Sequence, residues 1–279
     1  MRRSRRRQQR CTAIRAQRRN PYWSGGLDVR ELTEWELDKY RRQIQIPGFG
    51  EEAQQKLKAS SVLVTRVGGL GGPTALWLAA AGVGKLVIAH GGTLTPSNLN
   101  RMILMRGDGV GKPRAPQAKE TLLRFSPDTE VVAYAANAEP ENVEELVSQV
   151  DLVCDPSPDF RERLVLNREC WRQGKPLIDS AMNGMEATLT CIVPPETPCL
   201  ECFVPGVPEW WEPLGFGVLG AHSGSLGALT AIEAIKVLTG FGKPLTGTLL
   251  VYDTEDMTFN KHRLYRRPDC PVCGEAPAG

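Results

Sequence analysis

The sequence predicts an α/β fold: a mostly parallel central sheet with helices on both faces, followed by C-terminal antiparallel strands and a cysteine-rich, metal-binding lobe. Three observations predict it. An apolar strand pattern runs through a glycine turn into a helix and a second strand. Helix and strand patterns then alternate to about residue 180. Two Cys-x-x-Cys pairs lie beyond that alternation. With 279 residues, the chain can bury a substantial core. The expected organisation is a basic, disordered tail over 1–30, one α/β domain over 31–274 with its metal lobe around 194–217 and 265–274, and a short tail over 275–279.

Thr33, with Glu36 three residues on, predicts the cap of a short helix reaching Tyr40. Pro47, Gly48 and Gly50 break the chain before a helix over 51–59. Residues 61–65, Ser-Val-Leu-Val-Thr, read as a buried strand. Arg66-Val-Gly-Gly-Leu-Gly-Gly72 turns into a helix over 73–81, with Pro73 suited to the first turn, and 85–89 form the next strand. Residues 99–104 and 117–124 read as helices, 130–134 as a strand, 143–150 as a helix and 152–154 as a strand. A helix over 160–173 and a strand over 177–179 complete a Rossmann-like alternation. A long strand over 185–193 follows, then a loop rich in Pro, Gly and Trp over 194–217. The helix expected over 225–238 has an apolar face of Leu226, Leu229, Ile232 and Ile235, and Gly240 lies beyond its end. Strands over 248–252 and 258–264 lead to the second cysteine pair.

The eight cysteines divide evenly. Cys11, Cys154, Cys170 and Cys191 are scattered, whereas Cys199/Cys202 and Cys270/Cys273 form the two pairs. A lone pair would read equally well as a redox dithiol. Two pairs supply four soft thiolates, which complete a tetrahedral zinc shell and leave no open position, so the expected metal is structural zinc. Unpaired thiols elsewhere favour a cytoplasmic compartment.

The net charge of +2 hides an asymmetry: the first twenty residues hold nine arginines and no acid, leaving −7 for the rest. That run lacks the apolar core of a secretory signal. A contact with RNA or an anionic surface, or an organellar presequence, fits it less well than a solvated tail or sequence upstream of the true start. No nucleic-acid function is built on it. No stretch is long and apolar enough to span a membrane.

The glycine turn between strand and helix is the setting in which backbone amides meet a phosphate. Gly68, Gly69 and Gly71 are in place, but Arg66 stands where the dinucleotide fingerprint begins with glycine. An arginine there fills the space of a nucleotide or offers it a cation. A nicotinamide dehydrogenase is disfavoured, because both the fingerprint and its acidic ribose ligand are altered.

The chain resembles the ubiquitin-activating-enzyme superfamily, in particular the HesA/MoeB/ThiF-type bacterial homodimers that adenylate sulfur carriers. The resemblance runs through Tyr40-Arg-Arg-Gln-Ile44, Val67-Gly-Gly-Leu-Gly71, Ala80-Ala-Gly-Val-Gly84, Ser97-Asn-Leu-Asn-Arg101, Val110-Gly-Lys-Pro113 and Gly174-Lys-Pro176. It continues through both cysteine pairs, Gly224-Ser-Leu226, Glu233-Ala-Ile-Lys236 and Tyr252-Asp253, in collinear order over about 38–274. It implies a four-cysteine zinc site, a homodimer, and activation by ATP and magnesium of a small ubiquitin-like carrier ending in Gly-Gly. Arg42 matches the arginine that reaches the partner subunit's nucleotide, and Asn98 and Arg101 match phosphate-side residues.

Other positions depart from the family pattern. The ribose aspartate is His90, a second aspartate is Gly92, the catalytic lysine is Arg114 (with Lys112 close by), and the magnesium aspartate is Pro158. No cysteine occurs over 203–217, where many relatives carry a sulfur-transfer or thioester cysteine. These losses remove metal affinity and ribose hydrogen bonding. The expectation is therefore a divergent family member with lost or weakened adenylation that binds a carrier protein or peptide at Arg42, Arg66, Arg101 and Arg114. Two alternatives stay open: a working adenylyltransferase in which Asp155, Asp159 or Asp108 replaces a missing acid, and an enzyme whose crevice is repurposed around His90 and Arg66. His222 could face the same crevice or pack the fold, and His262 reads as a surface residue. Trp210, Trp211 and Phe216 suit either a partner surface or packing over the metal lobe.

Overall fold

The structure is a computed structural model, and it describes residues 31–209, 211–212 and 215–274. The expected tails over 1–30 and 275–279 and Trp210 lie outside the described residues.

Thr33 and Glu36 close the anticipated capping box on helix α1 (Glu34–Lys39): the Glu36 amide donates to Thr33 Oγ1 at 3.2 Å and the Thr33 amide to Glu36 Oε2 at 2.7 Å. Helices α2 (Arg41–Ile44) and α3 (Gly50–Ala59) precede strand β1 (Ser61–Thr65). The chain continues through α4 (Gly71–Ala81), β2 (Lys85–Ala89), α5 (Arg114–Phe125), β3 (Glu130–Tyr134), α6 (Val143–Ser148), β4 (Leu152–Asp155), α7 (Phe160–Gln173) and β5 (Leu177–Asn183). Strand β6 (Glu186–Ile192), the long helix α8 (Gly220–Thr239), β7 (Thr248–Asp253) and β8 (Thr258–Arg263) complete it. Gly240 ends α8 at φ 75°, a left-handed conformation that suits glycine.

The strands form one sheet in the order β3-β2-β1-β4-β5-β6-β7-β8. Pairings from β3 to β5 are parallel, and those from β5 to β8 are antiparallel. Alternation along the parallel strands sends side chains to two separate cores. Val62 and Val64 join Leu78, Leu122 and Leu226 on one face; Leu63 joins Leu146, Leu166 and the four paired cysteines on the other. Among the described residues, no helix is long and apolar enough to cross a membrane.

One expected element is corrected. Residues 99–104 are not helical; a 3-10 turn over Pro96–Asn98 is followed by further turns. Asn98 is the physical reason, because its Oδ1 accepts the Thr95 amide at 3.0 Å and favours a capped turn over helix propagation. Leu104 still reaches the core from that turn.

Candidate functional site

Strands β1 and β4 are sheet neighbours but lie far apart in sequence, so their carboxyl ends mark the point where successive crossovers diverge, the usual crevice of an open α/β sheet. A cavity of about 670 Å³ opens there. The glycine turn after β1, the residues after β2 and β4, and the β5–β6 hairpin form its walls.

Of the anticipated residues, Arg66, Gly68, Gly69, His90, Asn98, Arg101, Arg114 and Pro158 line the cavity. Gly71 is buried beneath the turn, where a Cβ would come within 2.7 Å of the Arg66 carbonyl, so close packing demands glycine. Lys112 and Arg42 are exposed and do not line it.

Arg66 adopts φ 51°, a left-handed conformation that costs a non-glycine residue roughly 1–2 kcal/mol. Its side chain is anchored: Nε donates to Glu162 Oε2 at 2.5 Å, and the same carboxylate accepts Ser157 Oγ at 2.8 Å and the Ala138 amide at 3.2 Å. Arg66 is therefore charge-compensated inside the crevice wall.

His90 is buried at the end of β2. Burial, then the nearby Arg114 and Arg66, push its pKa down to about 3, so the imidazole is neutral at physiological pH. Its Nε2 lies 3.3 Å from Arg114 Nη1 and, being neutral, accepts that hydrogen bond. Arg114 also donates to the Gly91 carbonyl at 3.3 Å and to Asn98 Oδ1 at 3.0 Å. Arg101 donates to the Ser97 carbonyl at 2.7 Å and to Asn100 Oδ1 at 2.8 Å. Its stem crosses the glycine turn, where a Cβ on Gly69 would approach it to 2.9 Å.

None of the three carboxylates weighed as replacements faces this cavity. Asp155 is wholly buried beneath it; burial and then Asp179 push its pKa up to about 8, against the opposing pull of Arg163. Asp159 caps α7, its Oδ1 accepting the Arg161 amide at 2.8 Å. Asp108 pairs with Arg106 on the surface at 3.3 Å. The carboxylates that do line the cavity, Glu186 and Glu212, are exposed and come from the hairpin and the loop after the metal lobe.

Arg163 is a lining residue that the motifs did not reveal. Buried on α7, it grips Asp179 of β5 through hydrogen bonds of 2.8, 2.8 and 3.1 Å. Neither residue lies in a glycine motif or cysteine pair, and a separation of sixteen residues, across helix and strand, hides their pairing. Trp211 packs edge-on to Phe160 at 5.8 Å, and both line the apolar end of the cavity with Phe203 and Phe216. His222 is not a lining residue: its Nδ1 meets Thr254 Oγ1 at 2.8 Å, and its ring packs on Tyr252. His262 is exposed on β8.

On the face of the sheet that carries Leu63, Leu146 and Leu166, the four paired cysteines converge. Their sulfurs all lie within 4.8 Å of one another, with Cys199–Cys270 at 3.5 Å and Cys202–Cys273 at 3.3 Å. Sulfurs about 3.8 Å apart are what metal–sulfur bonds of about 2.3 Å require in a tetrahedron. Burial pushes the Cys199 and Cys273 thiols up, whereas backbone hydrogen bonds from Cys273 and Val272 outweigh burial at Cys270 and bring that thiol down. The cluster can therefore chelate a metal ion.

The ThiF family pattern matches residues 40–272. The chain belongs to the ThiF family. It is 52% identical over 243 residues to the vegetative HesA protein of Trichormus variabilis, covering 87% of this chain and 91% of that relative. It is 39% identical over 256 residues to the sulfur carrier protein adenylyltransferase of Thermus thermophilus, covering 88% and 93% respectively. The Escherichia coli MccB structure with MccA-N7isoASN shares the fold at TM-score 0.76 and 23% identity, covering 86% of this chain and 75% of that one. Within the ThiF family, the likeness to the Thermus thermophilus sulfur carrier protein adenylyltransferase is one of sequence, and the likeness to MccB is one of fold.

Proposed function

We propose that this ThiF-family protein binds a small carrier protein or peptide by its terminal carboxylate in the arginine-lined crevice, with ATP-dependent adenylation lost or weakened. The observation that carries this reading is the charge pattern around the glycine turn. Arg66, Arg101 and Arg114 line that wall with a neutral His90, while Asp155 lies outside the cavity and Glu162 is engaged by Arg66. Such a wall attracts an anion and, among the described residues, offers a magnesium ion no free carboxylate of its own, Glu186 and Glu212 standing on the hairpin and the loop instead. The four-cysteine cluster would hold zinc as a closed structural site. Arg42, exposed on α2, is free to reach a second copy in a homodimer.

A second reading, an active adenylyltransferase, draws support from the identity to the Thermus thermophilus enzyme and from Asn98 and Arg101 at the cavity wall. Calorimetry with ATP and magnesium, followed by pyrophosphate exchange with Gly-Gly-ending carriers, separates the two. The expected result is carrier binding without exchange above background. Robust carrier-dependent exchange overturns the proposal in favour of the second reading.

A further inference from the structure

A buried carboxyl group beneath the crevice has no cation of its own. Strands β4 and β5 are parallel neighbours, and their register sets Asp155 directly opposite Asp179. Both side chains are wholly buried. Helix α7 brings Glu162 and Arg163 to the same cluster, and Arg66 reaches it from the glycine turn. Three acids thus meet two guanidinium groups, and each guanidinium is already committed. Arg163 donates to both oxygens of Asp179 at 2.8 Å, and Arg66 donates to Glu162. Among the described residues, Asp155 forms no salt bridge.

Its own hydrogen bonds are lopsided. Oδ1 accepts the Ser157 amide at 2.9 Å and the Thr65 hydroxyl at 3.4 Å, whereas Oδ2 is buried without a partner among the described residues. Ionised, the group would bury an unpaired charge, which a protein interior strongly disfavours. A proton on Oδ2 leaves two acids matched to two arginines. The surroundings agree. Burial and then Asp179 push the pKa up to about 8, with Glu162 adding to the rise and Arg163 and the Ser157 amide opposing it. Strand β1 brings only the uncharged Thr65, and on α8 Glu233 is engaged with Lys236 and His222 with Thr254. The thiols of Cys154 on β4 and Cys170 on α7 are held well up by burial and then by Asp155 itself, so both stay neutral.

We propose that Asp155 is a buried proton switch: with its proton the cluster is charge-balanced, and without it one unpaired negative charge lies under Pro156 and Ser157 of the crevice wall. The switch needs no ligand, and it operates whether or not a carrier binds. Its effect on the crevice is electrostatic. The arginine-lined wall draws anions most strongly while Asp155 keeps its proton, and less strongly once the proton has left.

The test is urea unfolding of the full chain and of Asp155→Asn from about pH 5 to about pH 9.5. Between the ordinary 3.8 and about 8, the folded chain holds a proton that the unfolded chain has released. The parent's stability therefore falls as pH rises through that window and levels off above it. The amide has the shape of the carboxyl and does not ionise. Relative to the parent, the variant's urea midpoint should rise steadily up to about pH 8 and then hold a constant difference. Infrared spectra give a second readout that does not depend on the variant folding. The carbonyl stretch of a protonated carboxyl should be present in the parent at neutral pH and fade as pH passes about 8. In Asp155→Asn it should be missing throughout. A difference between the two midpoints that stays constant across the whole range, or a parent without that band at neutral pH, overturns the proposal. Pyrophosphate exchange with a carrier, which would sink the functional reading above, is a separate measurement and leaves this one standing.

Discussion

The two ends of the sheet's function, the cysteine cluster and the glycine-turn crevice, have parted company in this chain. The cluster keeps all four thiolates, close enough to close around one ion. The crevice has Gly68, Gly69, Gly71 and Arg101, yet places an imidazole, a proline and two further arginines at positions where the resemblance implies acids, a lysine and a glycine. The lesson is that a closed metal shell and a ligand crevice answer to different constraints. A tetrahedral thiolate site must keep four metal ligands if it is to hold the fold. A crevice can exchange its charges while its backbone remains, because the cores beneath it are packed independently of those charges.

If that contrast is right, the largest effect should come from the metal. Stripping it with a strong chelator, or making Cys270→Ser, should lower the melting temperature by on the order of 10 °C, measured by differential scanning calorimetry. A metal-stripped protein with an unchanged melting temperature would break the contrast. The second effect belongs to His90. Its native pKa of about 3 lies below the usual 6.5, so the unfolded chain takes up a proton that the folded chain refuses. Stability is therefore lost as pH falls from about 6.5 towards 3, at up to about 1.4 kcal/mol per pH unit from this residue. Urea unfolding of His90→Gln between those limits should show a shallower decline than the parent; parallel declines would mean that the imidazole is not held neutral. The smallest effect sharpens the crevice. Asp159→Ala should cost about 1 kcal/mol of stability, as loss of a helix cap does, and leave carrier binding unchanged. A fall in affinity would instead make Asp159 part of the site.

Much of the fold was legible because its signals are local. Thr33 and Glu36 announce a capping box three residues apart, and the runs at 61–65 and 85–89 are short, apolar and followed by glycine turns, as buried strands are. The pairing of distant cysteines was legible because thiolate chemistry limits what four of them can do. The apolar stretch 99–104 misled because propensity says nothing of the Asn98 side chain that holds the turn before it. Asp155 read as a spare carboxylate because its position at the end of a strand is visible in sequence and its complete burial is not. The grip of Glu162 on Arg66 spans ninety-six residues, and no local pattern encodes it. Compensation of charge, which separates Arg66 and Arg163 from Arg101 and Arg114, is a property of neighbours in space alone.

The position of Phe203 carries one more consequence. It follows Cys202 directly and lines the cavity, so the metal knuckle and the mouth of the crevice share a peptide bond. Binding at the two places is thereby tied in one thermodynamic cycle. Whatever factor separates the crevice affinities of metal-loaded and metal-stripped protein must also separate the metal affinities of liganded and empty protein. An ion held by the cysteine cluster would in this way report occupancy, its affinity rising or falling as the crevice fills.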